Sequence, residues 1–244
     1  MTRWARITWQ VADPASFARA LASRLGVEVR PGGHAPGALS VDLGTGWLEV
    51  RAWVRESPAD DPLPGGRLML EPVPGGEPTP EDVDPAAVRP MRLAGTGWAT
   101  VELDRAESEL SMWLAEEEDG PSDADRSPGA RTDPHLGALA RVRSAGGLPG
   151  DAFVILEPNT EGRLGASLAR DGEGPCALYL VPDGGVDAWA TTARERGDAL
   201  AVPAVGPLGP QVLLLGDAVA GPHLLLVDPA RVPKRNPGAG TIGR

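Results

Sequence analysis

The side chains able to do chemistry are few and far apart in this chain. It has three histidines and one cysteine. His34 sits in a Pro/Gly loop, His135 follows Asp133-Pro134 in a polar loop, and His223 opens an apolar run. A single cysteine excludes an intramolecular disulfide and gives no cysteine-based metal site. Cys176 heads the apolar run CALYLV, where a small buried hydrophobe is the commoner role than a nucleophile. Ser-based nucleophile elbows, P-loops and a dinucleotide G-x-G-x-x-G between strand and helix are absent from the sequence. Gly44-Thr45-Gly46 is a lone G-x-G between strand candidates, hence a hairpin. Glu157 and Glu161 are candidates for an acid/base pair near the cup rim. Helix capping explains Glu161 more simply, since it falls in the first turn after Thr160.

Aromatic chemistry is concentrated in one residue type. Seven of the aromatic side chains are tryptophan, against two phenylalanines and one tyrosine. A bias toward large amphipathic rings points to cores or a pocket wall rather than to a random surface.

Charge and composition narrow the classes. The formal net charge of −11 disfavours nonspecific nucleic-acid binding, which needs a basic face to neutralise phosphates. The one basic cluster, Arg231, Lys234 and Arg235, lies in a Pro/Gly-rich tail. No charged-then-apolar leader and no apolar run near the length of a membrane span is visible, so the expectation is a cytoplasmic protein with no membrane partner. With 32 glycines and 26 prolines, the elements should be short and the turns many.

The elements that must position these groups form a repeat. Arg6 to Ala12 alternates as a strand. Asp13-Pro14 then gives an N-cap and a first-turn proline, Phe17, Leu21 and Leu25 share a helix face, and Gly26 stops the helix. Leu39 to Leu43, Trp47 to Val54 and Arg67 to Glu71 follow as three strands. Residues 72–91, rich in proline, glycine and acid, read as a linker. A second unit begins at Trp98 to Leu103. Asp104 and Glu107 have capping-box spacing, and Leu110, Trp113 and Leu114 line the helix face. The polar segment Glu116 to Asp133 reads as solvated, and only two strands, Leu139 to Arg143 and Ala152 to Leu156, follow it. A short helix, Thr160 to Arg170, leads to the clearest unit: strand Cys176 to Val181, turn Pro182 to Gly185, a helix from Val186 to Gly197, then strands Leu200 to Val202, Val212 to Leu215 and His223 to Val227. The expected fold is α+β, with three βαβββ-like units forming cupped mixed sheets. The expected organisation is a first module over 1–71, the linker, a module pair over 92–230 (92–158 and 173–228), and a mobile tail over 231–244.

The stretches AFVILEP, GRLGASLARDGEGPCALYL, VDAWATTARERGDALAVPAVGP and GPHLLLV resemble the vicinal oxygen chelate superfamily, in its glyoxalase-like, bleomycin-resistance-like and methylmalonyl-CoA-epimerase-like branches. That resemblance implies a divalent metal held by a histidine opening the first strand of each module and a Glu or Gln on a later strand. The matching positions here are Arg6, Gly97 and Ala177 for the histidine, and Glu49, Val154 and Leu225 for the later ligand. Only Glu49 could coordinate, so no metal and no cofactor is expected. The resemblance then implies a protein that binds a small organic molecule in its cup without turnover, its ligand-contacting set being Trp9, Trp53, Trp98, Tyr179, Cys176 and His223. Ordinary core packing is the alternative at each of these. Two other classes stay open: a metal-dependent lyase, isomerase or dioxygenase with ligands such as Glu49 and His223, and a non-catalytic scaffold whose cup is filled. An odd module with an uncovered sheet face or edge predicts a homodimer with the first modules in contact.

Overall fold

Three segments of the chain fold to one pattern. In the computed structural model, which describes residues 5–32, 37–43, 47–52, 66–72, 90–110, 130–144, 150–216 and 221–228, the first unit is β1 (Ala5–Val11), α1 (Pro14–Leu25), β2 (Val29–Pro31), β3 (Leu39–Asp42) and β4 (Trp47–Ala52). A single strand, β5 (Arg67–Pro72), precedes the second unit: β6 (Met91–Ala99), α2 (Leu103–Glu109), β7 (Arg131–Asp133), β8 (Ala138–Ser144) and β9 (Ala152–Pro158). Helix α3 (Arg163–Asp171) leads to the third: β10 (Gly174–Pro182), α4 (Val186–Glu195), β11 (Ala204–Gly206), β12 (Gly209–Leu214) and β13 (His223–Val227). In each unit the last strand lies parallel to the first, β4 on β1, β9 on β6 and β13 on β10. The other two step outward antiparallel. A parallel return needs a crossover, and the helix of each unit begins it. The repeated βαβββ order expected from the sequence is therefore the architecture, and the fold is α+β.

The units join at their first strands. β6 and β10 pair antiparallel and fuse the second and third units into one eight-stranded sheet, β11-β12-β13-β10-β6-β9-β8-β7. Its two ends curl toward each other: Arg131 Nη1 on β7 donates to the Pro207 carbonyl beside β11 at 2.8 Å. The first unit has no such partner unit. β5 instead pairs antiparallel with β1, from Ala5↔Pro72 to Gln10↔Arg67, completing a five-stranded sheet β2-β3-β4-β1-β5.

Local chemistry explains where α1 begins and ends. Asp13 Oδ1 accepts the Ser16 N–H at 3.0 Å, Pro14 fills the first helical position, and Gly26 stops the helix at φ 71°, a conformation that costs glycine little. Leu21 and Leu25 are buried, and Phe17 tilts against Trp9 with ring centroids 4.7 Å apart. The interior strand β9 has five consecutive buried residues, as expected of a strand covered on both faces.

Three apolar layers follow from strand alternation. Ile7, Trp9, Leu48, Val50 and Leu68 of the small sheet pack with Leu178, Leu180, Leu224 and Leu226 of the large one, each buried leucine contributing roughly 2 kcal/mol. Phe153 and Ile155 of β9 pack with Leu103, Ala106 and Leu110 around α2. The opposite side chains of β6, β9, β10 and β13 fill the inside of the curl together with Leu164 of α3.

Several element boundaries differ from the sequence reading. The second unit lacks no strand: Arg131–Asp133 is the first after its helix, hidden in a polar segment because it is three residues long and two of them are exposed. In the first unit the missed strand is Val29–Pro31, and Arg67–Pro72 is the added β5 rather than the last strand of the module. In the third, Leu200 makes only an isolated bridge to Leu214 and Val202 is exposed, so the strand is Ala204–Gly206. The Asp104/Glu107 capping box does not form. Helix α2 begins at Leu103, whose N–H is accepted by Glu157 Oε2 at 2.9 Å, while Glu107 pairs with Arg141 and Arg143 on β8. Helix α3 begins at Arg163, so Glu161 lies before it and not in its first turn. His34, Trp53, Trp113, Leu114, most of the linker and the tail lie outside the described residues. Among the described residues no helix is long and apolar enough to cross a membrane.

Candidate functional site: a packed cup and an open cleft

The inside of the curled sheet is occupied by its own side chains. Gly97 on β6 and Ala177 on β10 face each other across it; a Cβ placed on Gly97 would come within 2.9 Å of the Ala177 methyl, 3.1 Å of Leu156 Cδ1 and 3.3 Å of Tyr179 Cε2. Val154 and Leu225 belong to the same apolar cluster. Tyr179 is fully buried among them, and its hydroxyl donates to Asp133 Oδ2 at 3.1 Å. The other oxygen of Asp133 accepts from Gln211 Nε2 at 3.1 Å and from the His135 and Leu136 N–H groups at 3.1 and 3.2 Å. Four donors thus satisfy one buried carboxylate. Burial, with Asp133 nearby, pushes the Tyr179 phenol well above its ordinary value, so it stays a donor.

The resemblance's metal does not fit this interior. Gly97, Ala177, Val154 and Leu225 offer no lone pair, and the space a ligand side chain would need is filled. The alternative pair is not brought together either. Glu49 lies on the five-stranded sheet, whereas His223 opens β13 of the other sheet with its Nε2 3.1 Å from Ser167 Oγ. Among the described residues no group of three or more His, Cys, Asp or Glu is placed to hold a metal ion.

The other expected contact residues are scattered. Trp9 is in the inter-sheet core against Phe17. His223 is buried, and burial together with the Arg163 and Arg170 charges pushes its pKa down to about 4, so it is neutral near pH 7. The Cys176 thiol is held protonated, its pKa raised by burial and by the Asp133 and Asp171 charges, which removes the thiolate a nucleophile requires. Glu157, the proposed acid/base partner, is engaged in capping α2.

Two of the set meet elsewhere. A cavity of about 210 Å³ opens where β5 of the small sheet passes the ends of β6 and β10 and the C-terminal half of α3. Leu68, Leu70, Trp98 and Cys176 contribute to its lining, and Arg67 and Asp171 bring charge. The Trp98 ring is half-buried and tilts against Phe153 at 6.2 Å between centroids. Glu173, also in the lining, accepts from Arg105, from Thr100 Oγ1 at 2.8 Å and from the Val101 N–H at 2.8 Å. Those bonds, Arg105 first, hold its pKa at about 2, so the carboxylate stays ionised and fixed. Trp98 and Cys176 are the two sequence candidates that line this cavity; the strand Arg67 to Glu71 was legible in the sequence, but its place beside Trp98 and the turn after α3 were not. The cleft joins elements of two sheets, and the only local signal was the glycine-rich turn DGEGP.

No protein-family model and no curated protein matches the chain. The solved structures similar to it include methylmalonyl-CoA epimerase of Streptomyces coelicolor in complex with 2-nitronate-propionyl-CoA, 20% identical, covering 55% of this chain and 94% of that one with a TM-score of 0.42. Another is the methylmalonyl-CoA epimerase of Mycobacterium tuberculosis, 20% identical over 57% of this chain and 89% of that one, TM-score 0.40. A third is the hypothetical protein BH1468 from Bacillus halodurans C-125, 17% identical over 56% and 92%, TM-score 0.40.

Proposed function

We propose that the protein binds a small organic molecule without turning it over, and that the molecule lies in the cleft between β5 and Trp98 rather than inside the cup. The observation that carries this reading is the contrast between the two places. Tyr179, Leu156 and Ala177 leave the cup interior no room, while Trp98 walls a cavity of about 210 Å³. An indole face favours a flat apolar body, and charge at the rim favours a polar end group that pairs with Arg67 or with Asp171 and Glu173. The volume suits a ligand smaller than a typical drug. Fragment screening by ligand-observed NMR tests it: hits should lose binding in Trp98→Ala, and a set of hits indifferent to that change would remove the cleft reading.

A second reading is favoured by the Tyr179–Asp133–Gln211 network, which makes the cup a solid core and suits a scaffold with no ligand. A screen that yields no saturable hit, with the fold intact, selects it. Assembly as a homodimer is part of the proposal, but the edge half of its argument falls away, since β5 pairs along β1. Sedimentation equilibrium at micromolar concentration decides between dimer and monomer.

A further inference from the structure

The five-stranded sheet carries a second polar site, independent of the cleft. Alternation puts Ile7, Trp9, Leu48, Val50 and Leu68 into the core and turns Arg6, Thr8, Gln10, Glu49, Arg51 and Glu71 to the opposite face. Such a face would ordinarily be wet, yet Thr8, Gln10 and Glu49 are 0%, 7% and 3% exposed.

The hydrogen bonds on this face are unevenly shared. Among the described residues Glu71 gathers four of them: Arg6 Nε donates at 3.0 Å, Thr8 Oγ1 at 3.2 Å and Arg51 Nη1 at 3.2 Å, with Arg51 Nη2 on its other oxygen. Glu49 sits in register with Thr8 one strand away. Neither of its carboxylate oxygens has a hydrogen-bond partner among the described residues, and the nearest cation, Arg6 Nη1, is 3.8 Å off. The Nε–H of Arg51 is likewise buried and unpartnered. A buried carboxylate without donors costs several kcal/mol, so a group supplying them is the economical explanation of its place.

We infer that this face binds a small molecule carrying a protonated amine beside an oxygen acceptor, the chemistry of an amino alcohol. The ammonium donates to the Glu49 carboxylate, and the oxygen accepts from Arg51 Nε–H. The charges support a cation at Glu49: Glu71 holds both Arg6 and Arg51 at close range, while among the described residues Glu49 has only the long ion pair to Arg6 Nη1 at 3.8 Å. Glutamate at this position is also what the other two units lack, since Val154 and Leu225 stand in its place, so the site is peculiar to the first unit.

Isothermal titration of the full chain with ethanolamine tests the inference, with ethylammonium, magnesium and zinc as comparison probes. Saturable ethanolamine binding is expected, weakened by about tenfold or more in Glu49→Gln, as loss of a charge-assisted bond predicts. Ethylammonium should bind more weakly, having no acceptor for Arg51, and Trp98→Ala should leave ethanolamine binding unchanged. Absence of saturable binding, equal binding by a folded Glu49→Gln, or binding of a divalent metal alone overturns it. Should Glu49→Gln fail to fold, Glu49→Asp keeps the charge but withdraws it from the site; unchanged affinity in that variant also overturns the inference.

Discussion

Gly97 and Ala177 face each other across the β6–β10 junction so closely that a methyl group added at 97 would lie 2.9 Å from the one already at 177. The junction of two units, where the resemblance would have a pair of metal-binding histidines, is here a contact of the smallest side chains. Neither Ala177 nor the β10 backbone behind it can swing aside. Gly97→Ala should therefore destabilise by about 2 kcal/mol, the cost of overpacking a filled core. Gly97→His should cost more and confer no metal affinity. Urea denaturation and titration with zinc measure the two outcomes; a folded, zinc-binding Gly97→His would show that the interior is not packed as described.

Asp133 should be the least replaceable polar residue of the cup. Asp133→Ala strands the Tyr179 hydroxyl, the Gln211 amide and two backbone N–H groups, and a loss of about 3 kcal/mol or more is expected. Tyr179→Phe removes one donor from an acceptor that keeps three, with an expected cost of about 1 kcal/mol. The double variant should lose less than the sum, because the two side chains act on each other. Full additivity in equilibrium unfolding would contradict the network.

Two acid windows should be separable. His223 has a folded pKa of about 4 against an ordinary 6.5, so the unfolded chain takes up its proton first and stability declines as pH falls from about 6.5 to about 4. Glu173 is depressed from 4.5 to about 2 by Arg105, the Val101 N–H and Thr100. Its contribution is present above the unfolded value and disappears as pH falls between those two figures. Glu173 is exposed, so solvent screening makes this the smaller effect. Unfolding free energies measured from pH 7 to pH 3 should lose the upper slope in His223→Gln and the lower one in Glu173→Gln. Retention of the upper slope in His223→Gln would assign it to another group.

The two sheets should unfold together. Leu178 is fully buried between them, and Leu178→Ala should cost about 3 kcal/mol while keeping a single transition. Separate transitions followed by Trp fluorescence and by far-UV circular dichroism would mean that the five-stranded sheet is only loosely docked.

Much of this architecture was readable because it is written in periodicity. The order strand, helix, strands was visible wherever apolar residues alternate, as in Ile7-Thr8-Trp9, or recur at helical spacing, as in Phe17, Leu21 and Leu25. The strands that escaped, Val29–Pro31, Arg131–Asp133 and Ala204–Gly206, are three residues long. At that length a strand has no period to detect and is fixed by its neighbour's hydrogen bonds. The site was less legible. Trp98 and Cys176 were chosen for their chemistry, but their neighbours in the cleft come from β5, whose position depends on pairing with a strand about sixty residues earlier. Glu49 stands in the sequence as a ligand type without a companion, and its lack of hydrogen-bond partners among the described residues follows from Glu71, which takes the Arg6 and Arg51 donors.

β5 gives the chain an unusual arithmetic. A series of βαβββ units that pair at their first strands is closed by even numbers, and three leaves one over. Here the remainder is settled by six residues rather than by a fourth copy, since β5 supplies the antiparallel hydrogen bonds that a whole unit's leading strand would have brought. The same short strand then faces β6 and β10 across the cleft, so the segment that ends the repeat also builds the cavity's far wall. Loss or lengthening of β5 would therefore change two features at once, the pairing along β1 and the shape of the cavity.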